Sequence, residues 1–84
     1  MIIHIGEGIS LFKKDIMMII DRESMGESAT NQKILQESYR VNPLDQAKAY
    51  IVTRNNEIEI KSKYKIYESN ISARALFKRS ANGY

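Results

Sequence analysis

The chain has 84 residues, no cysteine, one histidine and a formal net charge of +3. This length allows one small domain, because two domains would each fall below the size that folds unaided. The absence of cysteine excludes disulfides and thiolate metal sites, and charged and hydrophobic fractions of 27% and 43% are typical of a folded chain rather than a disordered one.

The N-terminal third is predicted to be mostly strand. Met1–Ile5 and Ile9–Phe12 are short apolar runs separated by Gly6–Gly8, which predicts a β-hairpin because glycine tolerates the positive φ of tight turns. Asp15–Asp21 contains five consecutive apolar residues, which predict a strand covered on both faces, with a buried helical segment as the alternative. The polar segment Arg22–Thr30 is predicted to be a loop.

A single helix is predicted in the middle of the chain. It begins at Thr30 or Asn31, either of which can cap the free amides of the first turn, and it extends to Arg40. The proline of Asn42-Pro43 ends the region, because the residue before proline avoids helical geometry. The apolar stripe of this helix consists of Ile34, Leu35 and Tyr39.

The C-terminal half is predicted to form a hairpin followed by a short helix. Ala49–Thr53 is a strong strand signal, and Asn55-Asn56 is suited to a two-residue turn. The segment Glu57–Tyr67 alternates with period 2, which places Ile58, Ile60, Tyr64 and Ile66 on its core face.

The final helix is predicted over Ser72–Arg79, capped by Ser69 or Asn70, and residues 80–84 are predicted to be a frayed tail. The expected element order is therefore β-β-β-α-β-β-α. This order predicts a β-rich α+β fold in one domain over residues 1–79.

Self-association is the expected source of stability for so short a chain. Roughly 60–65% of the unfolded surface can be buried at this length, and the sequence contains thirteen isoleucines. The doubly apolar strand is the predicted interface between identical subunits, through Ile16, Met17, Met18, Ile19 and Ile20. The chain lacks both a signal-peptide pattern and an apolar run of the roughly 20 residues that span a bilayer, so a cytoplasmic location without membrane contact is expected.

Positive charge is concentrated in the second half of the sequence, where eight Lys and Arg residues oppose four Asp and Glu. Strand alternation would place Lys61, Lys63 and Lys65 on one face at a spacing that suits successive phosphates of a DNA strand. The predicted DNA-binding residues are Lys48, Arg54, Lys61, Lys63 and Lys65. The alternative is a solvated strand face whose lysines block edge pairing.

Two further features have simple structural interpretations. The cations of the last helix, Arg74, Lys78 and Arg79, complement its C-terminal dipole, with phosphate contact as the alternative. His4 has no partner at a catalytic or metal-binding spacing. We therefore predict no enzyme activity, no metal and no cofactor.

Several of these segments together resemble the RemA/RemB family of bacterial extracellular-matrix regulators, particularly the RemB branch. They are the opening Ile3–Gly8, the aliphatic Asp15–Asp21, the Lys48–Thr53 strand, the alternating strand and the short last helix, in that order. The resemblance covers about residues 1–79. It implies a LytTR-like subunit, a ring-shaped homo-oligomer, and binding of double-stranded DNA to regulate biofilm-matrix operons.

One segment departs from the family pattern. RemA-like proteins have an arginine-rich loop that contacts DNA just before this strand, whereas here the stretch is Pro43–Lys48, with Lys48 basic and Asp45 acidic. The alternative function is therefore a structural or interaction protein that co-assembles with a DNA-binding paralogue without contacting DNA itself.

Overall fold

The computed structural model describes residues 1–81, which form a four-stranded mixed sheet, a separate hairpin and three α-helices. This architecture confirms the predicted α+β class. The strands are β1 (Ile2–Gly6), β2 (Ile9–Phe12), β3 (Ile16–Asp21), β4 (Tyr39–Arg40), β5 (Ala49–Arg54) and β6 (Tyr64–Ser69). The helices are α1 (Arg22–Glu27), α2 (Ala29–Glu37) and α3 (Ala73–Ala81).

The predicted N-terminal hairpin is confirmed as β1 and β2, which pair antiparallel. Its turn holds Gly6, Glu7 and Gly8 at φ values of 94°, 54° and 71°. Gly6 also lies close to a neighbouring loop, because a Cβ built there would be 2.7 Å from Asn70 Oδ1. Glycine is therefore required at position 6 chiefly for its positive φ, since the exposed Asn70 side chain can move away from a Cβ.

The sheet has strand order β3-β5-β6-β4, in which β4 and β6 are parallel and the other pairs are antiparallel. One face packs against the hairpin and α3, around Ile51 and Leu76. The opposite face packs against α1 and α2, around Val52, Ile66 and Met25. Strand β3 was predicted correctly, and both of its faces are covered by its own chain, through Ile19 on one side and Ile20 on the other.

The segment predicted as a loop before the first helix is itself helical. Asp21 caps α1 by accepting a hydrogen bond from the Ser24 amide at 2.7 Å, and Met25 is buried against the sheet. Ser28 then caps α2 by accepting from the Asn31 amide at 3.1 Å. Helix α2 therefore begins before the predicted Thr30 or Asn31 cap.

Helix α2 also ends earlier than predicted. It stops at Glu37, and Tyr39 and Arg40 form β4, where they pair in parallel with β6. The reason is a tertiary contact, because the Arg40 guanidinium reaches the carboxylate of the buried Glu68 at 2.7 Å. This ion pair holds the segment extended against the sheet.

The predicted two-residue turn at Asn55-Asn56 is wrong, since residues 55–63 form a longer loop, here termed the 55–63 loop. The Asn55 side-chain amide donates to the carbonyls of Ile60 and Ser62, both at 2.7 Å, and to that of Glu57 at 3.3 Å. These bonds replace ladder bonds, so β6 begins only at Tyr64. The prediction that Ile58 lies on the core face is therefore wrong, because this side chain is 96% exposed.

Helix α3 confirms the predicted last helix with shifted ends. Its first turn is capped by Ser72, whose hydroxyl accepts from the Ala75 amide at 3.2 Å, rather than by Ser69 or Asn70. Ser69 is instead buried and donates its hydroxyl to the carbonyl of Ile5, which fastens the hairpin to the sheet. The helix continues to Ala81, beyond the predicted end at Arg79, and the rest of the predicted tail, 82–84, lies outside the described residues.

Candidate nucleic-acid interface

Lys65, one of the five predicted DNA contacts, is bound within its own subunit. It lies on β6 with its ammonium 2.6 Å from the Glu57 carboxylate and 5.7 Å from the Tyr67 ring centroid. The hydrogen bond to Glu57 raises the pKa of Lys65 above its ordinary value, while partial burial opposes the rise. A cation already paired in this way offers little charge to a phosphate.

Lys61 and Lys63 do not lie on a strand as predicted. Both are exposed in the 55–63 loop. The predicted row of three lysines on one strand face is therefore not present. These two side chains remain accessible, on a loop whose conformation Asn55 fixes.

Arg54 and Lys48 lie at opposite ends of β5. Arg54 is exposed and pairs with Tyr64 in register, whereas Lys65 is opposite Thr53 and so projects from the other face of the sheet. Both the backbone amide and the backbone carbonyl of Lys48 are hydrogen-bonded. The amide donates to the Ser69 carbonyl at 2.7 Å, and the carbonyl accepts from the Arg22 amide at 3.0 Å. The five predicted cations therefore do not converge on one surface.

The exposed face of α3 brings cations together more closely. Arg74 and Lys78 are four residues apart, so their Cβ atoms lie about 5–6 Å apart on one face of the helix. Both are exposed, neither has an ion-pair partner among residues 1–81, and α3 contains no acidic residue. Arg79 instead donates to the His4 carbonyl at 2.7 Å, which fixes the end of α3 over β1.

We term Arg74 and Lys78 the α3 cationic face. In the sequence, these residues were assigned to the helix dipole, with phosphate contact as the alternative. The sequence also carried a signal for a cationic surface, because a helix without acidic residues that has two cations at i and i+4 presents both on a single face.

The segment 41–48, which contains the Pro43–Lys48 stretch, is held against β6 by hydrogen bonds to Glu68. Besides Arg40, the Glu68 carboxylate accepts from the Leu44 amide at 3.0 Å. The Asn42 side chain donates to the Glu68 carbonyl at 2.9 Å and accepts from the Glu68 amide at 2.8 Å. These hydrogen bonds fix the 41–48 loop, but its exposed charged residues are Asp45 and Lys48 rather than several cations.

The residues predicted as an oligomer interface are unequally accessible. Ile20 is 6% exposed and lies in the core of its own subunit, so it is not available to a partner. Ile16 and Ile19 are half-buried and pack on the core. Met17 and Met18 are about half exposed, at 46% and 43%, on the unpaired edge of the sheet.

These two methionines extend an apolar surface along the sheet edge. Met17 is the extra residue at a β-bulge between Ile16 and Met18. Together with Phe77 of α3, which is 55% exposed, Met17 and Met18 line one shallow groove. Apolar groups on an unpaired edge are typical of interaction surfaces.

His4 forms a cross-strand hydrogen bond between its Nδ1 and the Ser10 hydroxyl. Both residues are exposed, and within residues 1–81 no carboxylate contacts the imidazole to orient it. Residues 1–81 contain no cluster of three side chains able to hold a metal ion, and no helix with the length and apolar character needed to cross a membrane.

Comparison of the chain with known proteins returns no significant match, whether to protein-family models, to curated proteins or to solved structures.

Proposed function

We propose that this protein is a DNA-binding subunit of a homo-oligomer that regulates transcription of biofilm-matrix genes. The observation that carries the proposal is the α3 cationic face, where two exposed cations stand side by side on a helix without acidic residues. The sequence resemblance to the RemA/RemB family supports matrix operons as the target. It also supports a LytTR-like subunit and a ring-shaped assembly.

The chemistry of these cations favours contacts with phosphate rather than with base edges. Arg74 and Lys78 lie beyond the last acidic residue of the sequence, Glu68, so α3 itself adds no carboxylate that would repel a phosphate. Lys61 and Lys63 on the 55–63 loop, with Arg54 at the end of β5, supply further accessible charge. Contacts of this kind position a protein on DNA and carry little sequence information directly, so selectivity would come from DNA shape.

Repetition of one subunit would make a weak site effective. Two or three phosphate contacts on one chain give modest affinity, but several copies in one assembly bind the same duplex at high effective concentration. The exposed methionines on the β3 edge are the proposed contact through which copies associate, and Ile16 and Ile19 support that surface from within.

Charge reversal at the α3 cationic face tests the proposal. We expect Arg74→Glu/Lys78→Glu to abolish binding to duplex DNA in a fluorescence anisotropy assay while the native mass stays unchanged. The matched control is Arg22→Glu/Lys33→Glu, which makes the same charge change at exposed positions of α1 and α2 and should bind nearly as tightly as the wild type. Equal loss of binding in both variants would show only a response to net charge and would contradict a site on α3.

The alternative function, a scaffold that co-assembles with a DNA-binding paralogue, is favoured by a different observation. Lys65 and Arg40 are both bound in internal ion pairs, and the well-supported 41–48 loop presents Asp45. A wild-type protein that assembles but fails to bind duplex DNA even at low salt would favour this alternative.

A further inference from the structure

The tip of the 55–63 loop presents an apolar side chain between two carboxylates. Ile58 is 96% exposed, the highest value for a large apolar residue in the part of the chain that the structure describes, and Glu57 and Glu59 flank it in the sequence. Glu57 is paired with Lys65, so Glu59 supplies the acidic group that is free at the tip. We call Ile58 and Glu59 the loop tip.

The loop tip is held in a defined conformation. The Asn55 side chain donates to three carbonyls of the loop and accepts from the Glu57 amide at 2.9 Å. The backbone amide of Asn55 donates to the Lys63 carbonyl at 3.2 Å. Ile58 therefore contributes almost nothing to the core of its own subunit, yet these bonds fix the loop backbone on either side of it. A preorganised loop loses little backbone entropy when it docks.

A groove of complementary chemistry lies at the same end of the molecule. Met1 and Phe12, which are 64% and 54% exposed, line it together with Lys13 and Lys14, and we call it the N-terminal groove. The Lys14 ammonium lies 5.9 Å from the Phe12 ring centroid, at the rim. The groove is thus apolar with a basic edge, and the loop tip is apolar with an acidic edge.

Their relative placement favours reciprocal docking. Phe12 and Glu57 line one and the same cleft, so the N-terminal groove and the base of the 55–63 loop are neighbours on the subunit. When complementary surfaces are neighbours, a two-fold axis between two copies can place each tip in the other's groove. DNA is disfavoured as the partner of the loop tip, because the free Glu59 carboxylate beside Ile58 repels phosphate.

We propose that the loop tip of one copy docks into the N-terminal groove of a second copy, with Ile58 against Met1 and Phe12 and Glu59 beside Lys14. This inference rests on the proposed homo-oligomer and adds a contact distinct from the β3 edge. A subunit with two self-complementary contacts can build an assembly larger than a dimer.

A charge swap tests the contact directly, with dissociation constants measured by sedimentation velocity over a range of concentrations. Glu59→Lys and Lys14→Glu should each weaken association about threefold to tenfold, because each places like charges together at both copies of the contact. The double variant Glu59→Lys/Lys14→Glu should restore the wild-type constant. Ile58→Asp should weaken association about 10- to 100-fold, since it removes the buried apolar group.

Folding can be separated from association in these variants. Ile58, Glu59 and Lys14 are exposed, so circular dichroism spectra should match the wild type. The matched control is Glu37→Lys, which makes the same charge change at an exposed position of α2 and should leave association unchanged. A monomeric wild type, an Ile58→Asp variant that associates normally, or a double variant weaker than both single variants would overturn the proposal.

DNA binding measured in parallel distinguishes failure of this contact from failure of the proposed function. A wild type that binds DNA, with association insensitive to Ile58→Asp, contradicts the docking contact alone. A wild type that associates through the loop tip but does not bind DNA contradicts the proposed function alone.

Discussion

At Lys65, a cation that the sequence presents as a DNA contact is instead bound by Glu57 in the same subunit. The hydrogen bond that the Lys65 ammonium donates to Glu57 raises the pKa of Lys65 above 10.5. Because the pKa is higher in the folded state than in the unfolded state, the stabilisation is complete below about pH 10.5 and is lost as the pH rises through the folded value. The contribution is small, since the Glu57 side chain is 53% exposed.

We therefore predict that Lys65→Met lowers the free energy of unfolding by about 0.2–1 kcal/mol at neutral pH. Urea denaturation from pH 7 to pH 11.5 should show a constant deficit up to about pH 10.5 and a shrinking one above it. Lys61→Met, at an exposed loop position, is the control and should match the wild type throughout. A deficit that grows at high pH would contradict the assignment of the ion pair.

Two glycines should respond in opposite directions to the same substitution. Gly6→Ala places a Cβ 2.7 Å from Asn70 Oδ1 at a φ of +94°, so it should destabilise the fold by about 1–3 kcal/mol. Gly26→Ala, inside α1 with nothing within 4 Å of the new Cβ, should stabilise it by about 0.5–1 kcal/mol. Thermal unfolding of the two variants would show the difference, and equal shifts would contradict the described turn.

Among the elements, the 55–63 loop is held by several hydrogen bonds of the Asn55 side chain, together with the Glu57–Lys65 ion pair. We predict that Asn55→Ala makes the hydrogen-bonded amides of Glu57 and Ile60 exchange hydrogen at least tenfold faster. The loop loses the acceptor of the Glu57 amide and the two 2.7 Å side-chain bonds to the carbonyls of Ile60 and Ser62, each bond being worth about 1 kcal/mol. Asn56→Ala, an exposed neighbour without such bonds, is the matched control for hydrogen-exchange mass spectrometry. Unchanged protection in Asn55→Ala would show that the loop is held by other contacts.

The same loop explains what the sequence could and could not predict about the elements. The hairpin, β3 and β5 are predictable because their apolar runs and flanking turn residues agree. The alternating pattern of Glu57–Lys63 is typical of a strand, but the side-chain amide of Asn55 binds carbonyls that a strand would use for pairing with its neighbour. Strand β4 was missed because it depends on the Arg40–Glu68 ion pair, which joins residues far apart in the sequence.

Helix α1 was missed although it carried a local signal. Its interior is polar and contains Gly26, which lowered the expectation of a helix, but capping residues stand at Asp21 and Ser28 before α1 and α2. For the candidate interface, the sequence indicated which half of the chain is basic. Which cations remain free depends on the internal ion pairs of Lys65 and Arg40, and these are visible only in the folded subunit.

At the scale of the whole molecule, the β3 edge predicts self-association. Met17 is exposed on a bulge, so Met17→Asp should leave the subunit folded and lower the native mass measured by light scattering. Ile19→Asp should unfold the protein instead, because Ile19 packs against the core. A wild-type mass near that of one 9.7 kDa chain would contradict the proposed oligomer.

DNA binding through phosphate contacts is tested most directly by the salt dependence of wild-type affinity for two duplexes of unrelated sequence. Measured by fluorescence anisotropy, log K should fall linearly with log salt, with a slope near −0.9 for each phosphate contacted, and the slope should be similar for both duplexes. Arg74→Ala should make the slope shallower by about one for each subunit that contacts the duplex. Absence of binding at low salt, or a slope that Arg74→Ala leaves unchanged, would contradict a phosphate-binding surface on α3.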